Sequence, residues 1–197
     1  KSLYSNTTGA ENTGLGDQSV YSNTTGAALT GLGRFALYAN TTGSNNTAVG
    51  VQSLASNTTA SDGTAVGFQA LYSNTTGGQN TAVGRKAMYT NSTGDNNVSV
   101  GFNSMFNNTT GADNAALGVN ALQANTTGNF NTAVGRRALI ANTVGNSNVA
   151  VGYEALKTNL NGSKCVAVGE IALRDMEASG STSNDYYNTA IGYGAGA

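Results

Sequence analysis

The sequence lacks the residues on which many enzyme sites depend. Its 197 residues include no His, no Pro, no Trp and a single Cys. Without His, neither a Ser-His-Asp triad nor a Cys-His pair can form, and the commonest metal ligand is missing. One Cys excludes an internal disulfide and a cysteine-ligated zinc site. We therefore expect a protein that is not an enzyme and that holds no metal and no cofactor.

Charge and long apolar runs are also scarce. Only 10% of the residues are charged and the formal net charge is -1. Such a chain offers no electrostatic surface for nucleic acid or for an anionic membrane. The apolar runs are a few residues long, far short of the length that spans a bilayer. We expect no nucleic-acid partner and no membrane insertion in this segment.

Gly, Asn and Thr are abundant, and they recur with a period of 17 residues. The Gly that closes each Ala-Val-Gly falls every 17 residues from Gly16 to Gly169, and Gly192 follows after 23. The consensus unit reads N-T-A-V-G-x-x-A-L-x-x-N-T-T-G-x-x. We divide the chain into regular repeats over 1–169 and a coil over 170–197 that carries an inserted loop at 174–187. The pattern indicates a segment of a longer fibre.

One unit predicts one coil of an all-β, parallel β-solenoid. Seventeen residues are too few for a helical hairpin, and Gly, Asn and Thr are poor helix formers. We expect two short strands per coil, Thr-Ala-Val-Gly and Ala-Leu-x-x. Because side chains alternate along a strand, the Val and Thr should point into the roll and the Ala between them outward. A thin core and a small outward Ala row predict self-association in a parallel bundle.

The Asn that opens each Asn-Thr-Thr-Gly turn keeps the same register. Stacked coils would place these Asn side chains about 4.8 Å apart, close enough for their amides to form a hydrogen-bonded ladder. The predicted structural ladder consists of Asn23, Asn40, Asn57, Asn74, Asn91, Asn108, Asn125 and Asn142.

Asn-Thr-Ala-Val-Gly, followed by Ala-Leu and a second Gly, is similar to the head repeat of YadA-like trimeric autotransporter adhesins. It also resembles repeats of phage-type tail fibres. The resemblance covers essentially the whole chain, although the unit here is longer by an Asn-Thr-Thr-Gly turn. It implies a left-handed parallel β-roll with three chains per fibre, and an Ala row that faces the trimer axis.

Two groups of residues are candidate binding sites. Aromatic residues follow the core Leu and should point outward, where rings can stack on sugars; the alternative is that they stack on each other and stiffen the fibre. The inserted loop is the second candidate, because loops on rigid scaffolds often carry binding; the alternative is a tolerated insertion at a turn. The candidate residues are Tyr21, Tyr38, Tyr72, Tyr89 and Phe106 in the first group and Asp185, Tyr186 and Tyr187 in the second.

Three other features have structural interpretations. Charged residues such as Arg85, Arg136 and Glu154 occupy the two positions after Gly and are expected to be a solvated turn edge. Cys165 replaces an Asn and has no nearby base that would make it a nucleophile. Thr pairs such as Thr24 and Thr25 lie in a turn, where adjacent side chains cannot share one flat plane.

We interpret the sequence as a non-enzymatic structural or attachment fibre segment, from a virion tail fibre or a bacterial surface adhesin. This hypothesis places the protein outside the cell, on a cell surface or on a virion. Its expected partners are further copies of itself, as a homotrimer, and a host-surface glycan or protein. The alternative is a purely structural spacer or extracellular filament. A third hypothesis, less favoured than these two, is an ice-binding solenoid.

Overall fold

The computed structural model describes residues 1–176, the backbone of 184–185, and residues 187–197. Within these residues the chain is an all-β, parallel β-solenoid in which each coil contributes one three-residue strand to a single long sheet. The strands are β1 (Thr13–Leu15), β2 (Thr30–Leu32), β3 (Thr47–Val49), β4 (Thr64–Val66), β5 (Thr81–Val83), β6 (Val98–Val100), β7 (Ala115–Leu117), β8 (Thr132–Val134), β9 (Val149–Val151), β10 (Gly162–Ser163), β11 (Val166–Val168), β12 (Asn184–Asp185) and β13 (Thr189–Ile191).

The strand register confirms the solenoid with a 17-residue repeat. In the 11-stranded sheet each strand pairs in parallel with the same position of the next coil, for example Thr47 with Thr64. Between β11 and β13 the register joins Val166 to Thr189, so the insertion leaves the sheet unbroken. Strands β10 and β12 form a separate parallel pair. Residues 177–183 and 186 of the predicted loop lie outside the described residues.

The Ala-Leu-x-x segment, predicted to be a second strand, is a turn. Its core Leu has a left-handed backbone in successive coils, with φ of 52° at Leu37 and 47° at Leu54. The segment still bonds from coil to coil, since the Leu37 amide donates to the Ser53 carbonyl at 3.1 Å. The prediction was wrong because positive φ is uncommon for Leu, and only the need to reverse the chain within a narrow coil imposes it here.

The strand side chains point in the opposite direction to the one predicted. Ala48, Ala65 and Ala82 are fully buried, whereas Val100 and Leu117 on the other face are 37% and 41% exposed. The Ala row therefore lies inside the roll, and the Val and Thr rows form its outer face. The prediction that side chains alternate between the two faces of the strand is confirmed, but the prediction of which residues face inward is wrong.

The narrow interior explains why Ala, and not Val or Thr, points into the roll. In most coils the space between the sheet and the Ala-Leu turn holds one Ala of the strand, one Ala or Ser and one large apolar side chain. At Gly31, an added Cβ would lie 2.6 Å from Cγ2 of Val20 and 2.5 Å from Oγ of Ser19. Ser19 and the β-branched Val20 thus leave no room even for Ala at position 31, and where the inner face is this close to the turn a larger side chain such as Val does not fit.

Candidate functional site

The predicted Asn ladder is present and is buried. Nδ2 of Asn40 donates to Oδ1 of Asn23 at 2.9 Å and to the carbonyl of Gly43 at 2.9 Å. This pair of bonds recurs along the row up to Asn142, whose Oδ1 has no hydrogen-bond partner among the described residues. The next Asn of the row, Asn159, keeps the bond from its Nδ2 to the carbonyl three residues on, Gly162, at 3.0 Å, but it does not donate to Asn142. The ladder closes the interior at one end of the coil.

A second Asn ladder, not predicted from the sequence, precedes the strands. Oδ1 of Asn80 accepts bonds from both the backbone N and Nδ2 of Asn97, at 2.9 and 3.2 Å, and Nδ2 of Asn97 also donates to the carbonyl of Gly111 at 2.8 Å. The Asn that opens the consensus unit was the available signal. The row reaches Cys165, whose amide donates to Oδ1 of Asn148 at 3.0 Å.

Cys165 occupies a rung position in this second ladder. It is fully buried, and burial raises the pKa of its thiol. A protonated, inaccessible thiol is a poor nucleophile, in line with the structural interpretation of this residue.

The aromatic residues after the core Leu stack on each other in two separate runs of three rings. Centroids in the first run, from Tyr4 through Tyr21 to Tyr38, are 5.0 and 5.5 Å apart, with interplanar angles of 9° and 18°. The second run consists of Tyr72, Tyr89 and Phe106, with separations of 5.2 and 5.1 Å and angles of 6° and 8°. This is the self-stacking alternative, realised within one chain.

Ala55 occupies the ladder position between the two runs. The gap opens into a groove of about 470 Å³, bounded by Tyr38 on one side and Tyr72 on the other. The side chain of Phe35 meets Tyr38 edge-on, with centroids 5.5 Å apart and an interplanar angle of 86°. Gln52 also lines the groove, and its Oε1 accepts a bond from Nε2 of Gln69 at 2.9 Å.

A further aromatic row, missed by the sequence analysis, lies at the position directly after the strand Gly. The guanidinium of Arg85 lies between two rings, 5.9 Å from the centroid of Phe68 and 5.4 Å from that of Phe102. Arg136 contacts one ring of the same row, and its guanidinium lies 5.6 Å from the Tyr153 centroid. The predicted charged edge is therefore a mixed row in which cations cover exposed rings.

Glu154 is a second departure from the expected solvated edge, because only 6% of its surface is exposed. Its carboxylate bonds Nη1 of Arg137 at 2.9 Å and Nζ of Lys157 at 3.0 Å. Burial alone would raise the pKa of Glu154, but hydrogen bonds from Lys157, Tyr153 and Arg137 outweigh it and hold the pKa below its ordinary value of 4.5. The group is a paired structural charge.

The inserted loop is described only in part. The Tyr187 side chain is 67% exposed, its hydroxyl lies 3.1 Å from Nζ of Lys164, and that ammonium lies 5.0 Å from the ring centroid. The backbone of Asp185 belongs to β12, and Tyr186 lies outside the described residues. Binding by this loop stays a prediction.

Metal-binding clusters and membrane-spanning helices are both absent from the part of the chain that the structure describes. No cluster of three or more His, Cys, Asp or Glu side chains suited to a metal ion occurs in the described ranges. Across the same residues, no helix is long and apolar enough to cross a membrane. Comparison with known proteins finds no matching family model, no matching curated protein and no matching solved structure.

Proposed function

We propose that the chain is a segment of an extracellular structural or attachment fibre, and that it assembles as a parallel homotrimer of left-handed β-rolls. The observation that carries this proposal is the outer face of the 11-stranded sheet. Every strand points its first and third side chains outward, and most of these are Thr, Val or Leu.

An uncovered parallel sheet is unusual. Parallel sheets are almost always covered on both faces, because their strands bear apolar side chains on both sides. Here the inner face is covered by the chain's own Ala and Leu residues, and the outer face exposes Val98 (41%), Val100 (37%) and Leu117 (41%). A stripe of this length, built from regularly repeated β-branched side chains, supports an interaction surface.

A further copy of the chain is the partner that fits this face. Its rows repeat at the spacing of parallel strands, about 4.8 Å, so a facing surface with the same period can interdigitate along the whole length. The strands carry no Asp, Glu, Lys or Arg on this face, so no charge opposes its burial. Three copies would bring three such faces to a common axis, and the resemblance to YadA-like head repeats implies that number of chains. The Ala row that the resemblance places at the axis is buried inside the roll, so the Thr and Val rows take that position in this proposal.

The fibre would belong to a virion tail or to a bacterial surface adhesin, and a purely structural spacer is the alternative.

The hypothesis of an ice-binding solenoid is less well supported, because the Thr hydroxyls of the turns are bonded within the chain. Oγ1 of Thr24 donates to the carbonyl of Thr41 at 3.0 Å, and this bond recurs in most coils. In these coils the first Thr of each pair therefore donates its hydroxyl proton to the backbone and not to a ligand.

The first test is the solution mass by light scattering over a hundredfold range of concentration. We expect three times the chain mass of 19.8 kDa. Val83→Lys places a charge in the outer face and should shift the protein toward monomer. The matched control is Gln79→Lys, an exposed turn position equivalent to Lys164 in another coil, which should stay trimeric. A wild-type monomer at every concentration would contradict the proposal.

A further inference from the structure

The gap in the aromatic ladder has the dimensions of a site for a single ring. Six of the first seven coils carry Tyr or Phe at the ladder position, and Ala55 is the exception. Since adjacent coils are about 4.8 Å apart, the Tyr38 and Tyr72 rings face each other across about 10 Å. A ring placed midway would lie about 5 Å from each, within the range of about 4.5–7 Å at which aromatic rings stack.

We propose that this gap binds one pyranose ring of a glycan, held between the faces of Tyr38 and Tyr72. The site rests on the proposed attachment function, since it names the ligand class that such a fibre would recognise. It involves the turn segment of the coil, whereas the proposed trimer contact involves the sheet.

The walls and the rim of the gap match a sugar in different ways. The C–H groups on a pyranose face carry partial positive charge and complement the negative face of a Tyr ring. Ala55 forms the floor, and its methyl group is the smallest side chain that could stand there, so it leaves the space open. Gln52 and Ser56 line the groove and supply polar groups toward which the equatorial hydroxyls of the ring can point. The Gln69 bond to Oε1 of Gln52 leaves the Gln52 amide NH₂ as the donor.

The size and openness of the groove agree with this ligand. About 470 Å³ lies within the range of about 300–1,000 Å³ that is usual for small-molecule pockets. Tyr38 is 36% exposed, and one face of its ring stacks on Tyr21, which leaves the other face toward the gap. An open groove allows the rest of an oligosaccharide to continue out of the gap, which an enclosed pocket would forbid.

The test is a titration of the protein with named sugars, followed by saturation-transfer NMR. The probes are the methyl β-pyranosides of glucose, galactose, mannose and N-acetylglucosamine, with phenol as a planar aromatic competitor. We expect at least one pyranoside to bind, with its axial protons receiving the strongest transfer. Tyr38→Ala and Tyr72→Ala should each weaken that binding at least tenfold. Binding of phenol with no pyranoside bound would overturn the sugar assignment.

The decisive variant is Ala55→Tyr, which restores the missing ring. Tyr occupies the same position in five other coils, so the variant should fold, and two new stacks should raise its melting temperature. It should abolish sugar binding. The matched control is Gln123→Tyr, which extends the ladder beyond Phe106 without filling the gap and should leave sugar binding unchanged. Equal losses in both variants, or retained binding in Ala55→Tyr, would overturn the site.

Light scattering on the same samples separates the two proposals. A trimer that binds none of the four pyranosides would overturn the sugar site and leave the fibre intact. A monomer that binds a pyranoside, with loss in Ala55→Tyr, would overturn the trimer and leave the site intact.

Discussion

The two faces of the sheet differ in how much they constrain the side chain. On the inner face, most coils have Ala, with Gly14, Gly31 and Ser99 as the exceptions among the strands, and Ala82 is fully buried. On the outer face, Thr, Val and Ala exchange at the first strand position and Leu, Val and Ile at the third. The inner face tolerates only a small range of volumes, while the outer face requires a shape that fits a pleated surface.

This difference shows that size and burial need not correlate in a thin solenoid. In a broad core the larger apolar residue is usually the buried one. Here the distance between the sheet and the opposite turn is set by the strand Ala and the turn Leu, such as Ala82 and Met88. The larger strand residue must therefore point away from the interior.

The largest expected effect comes from overfilling the inner face. Ala82→Leu adds three carbons where the neighbouring inward residues, Ala65 and Ser99, are fully buried. We expect a loss of about 3 kcal/mol of unfolding free energy per chain, the upper range for overpacking. Chemical denaturation of the variant measures it. Thr81→Val on the adjacent outward position is the control and should change stability by less than about 0.5 kcal/mol. Similar losses in both would contradict the assignment of the faces.

The second largest effect concerns the buried Asn ladder, which lies inside the roll like the Ala face of the sheet. Asn74→Ala removes bonds to Oδ1 of Asn57 at 3.1 Å and to the carbonyl of Gly77 at 2.9 Å, and it strands Nδ2 of Asn91, which donates to Asn74 at 2.8 Å. We expect a loss of about 2 kcal/mol per chain, measured by thermal unfolding. Asn142→Ala should cost less, because Oδ1 of Asn142 accepts no bond. Equal costs would mean that the acceptor side of each rung contributes nothing.

The smallest expected effect is on the acid stability of the protein, and it compares the buried carboxylate of Glu154 with an exposed carboxylate. Because pairing lowers the folded pKa of Glu154, its contribution is fully present above its ordinary value of 4.5 and is lost as the pH falls through the lowered pKa. Glu154→Gln should cost about 1 kcal/mol at pH 7 and should flatten the stability profile below pH 4.5. Unfolding measured from pH 7 to pH 2 tests this. Glu170→Gln, at an exposed turn position, is the control. An unchanged acid profile in Glu154→Gln would show that the ion pairs are not coupled to folding.

Much of the architecture could be predicted from the 17-residue period. The period placed Thr47 beside Thr64, and it placed Asn40 over Asn23 in a hydrogen-bonded ladder, which the structure shows to be buried. The second strand and the direction of the strand side chains were wrong. These two features depend on the distance between the sheet and the opposite turn, and the spacing of residues along the chain does not determine that distance.

The candidate site divides in the same way. The sequence identified Tyr21, Tyr38, Tyr72, Tyr89 and Phe106 as one row, because they share a position in the repeat. That Ala55 leaves a groove between two stacked runs depends on ring orientation and on the neighbouring Phe35, and both required the structure. The row of rings and cations after the strand Gly was not predicted. Phe68 and Phe102 alternate with Arg85 at a position that the sequence interpretation assigned from its charged residues alone.

The sequence by itself determined the repeat, the parallel register and the stacking of identical side chains. An unbroken period forces equivalent residues into neighbouring coils at the strand spacing. Only the tertiary structure decided which strand face lies inside, which turn takes a left-handed backbone and that the first Asn ladder stops at Asn142. These features depend on the separation of the two sides of the coil, and packing of side chains across that separation sets it.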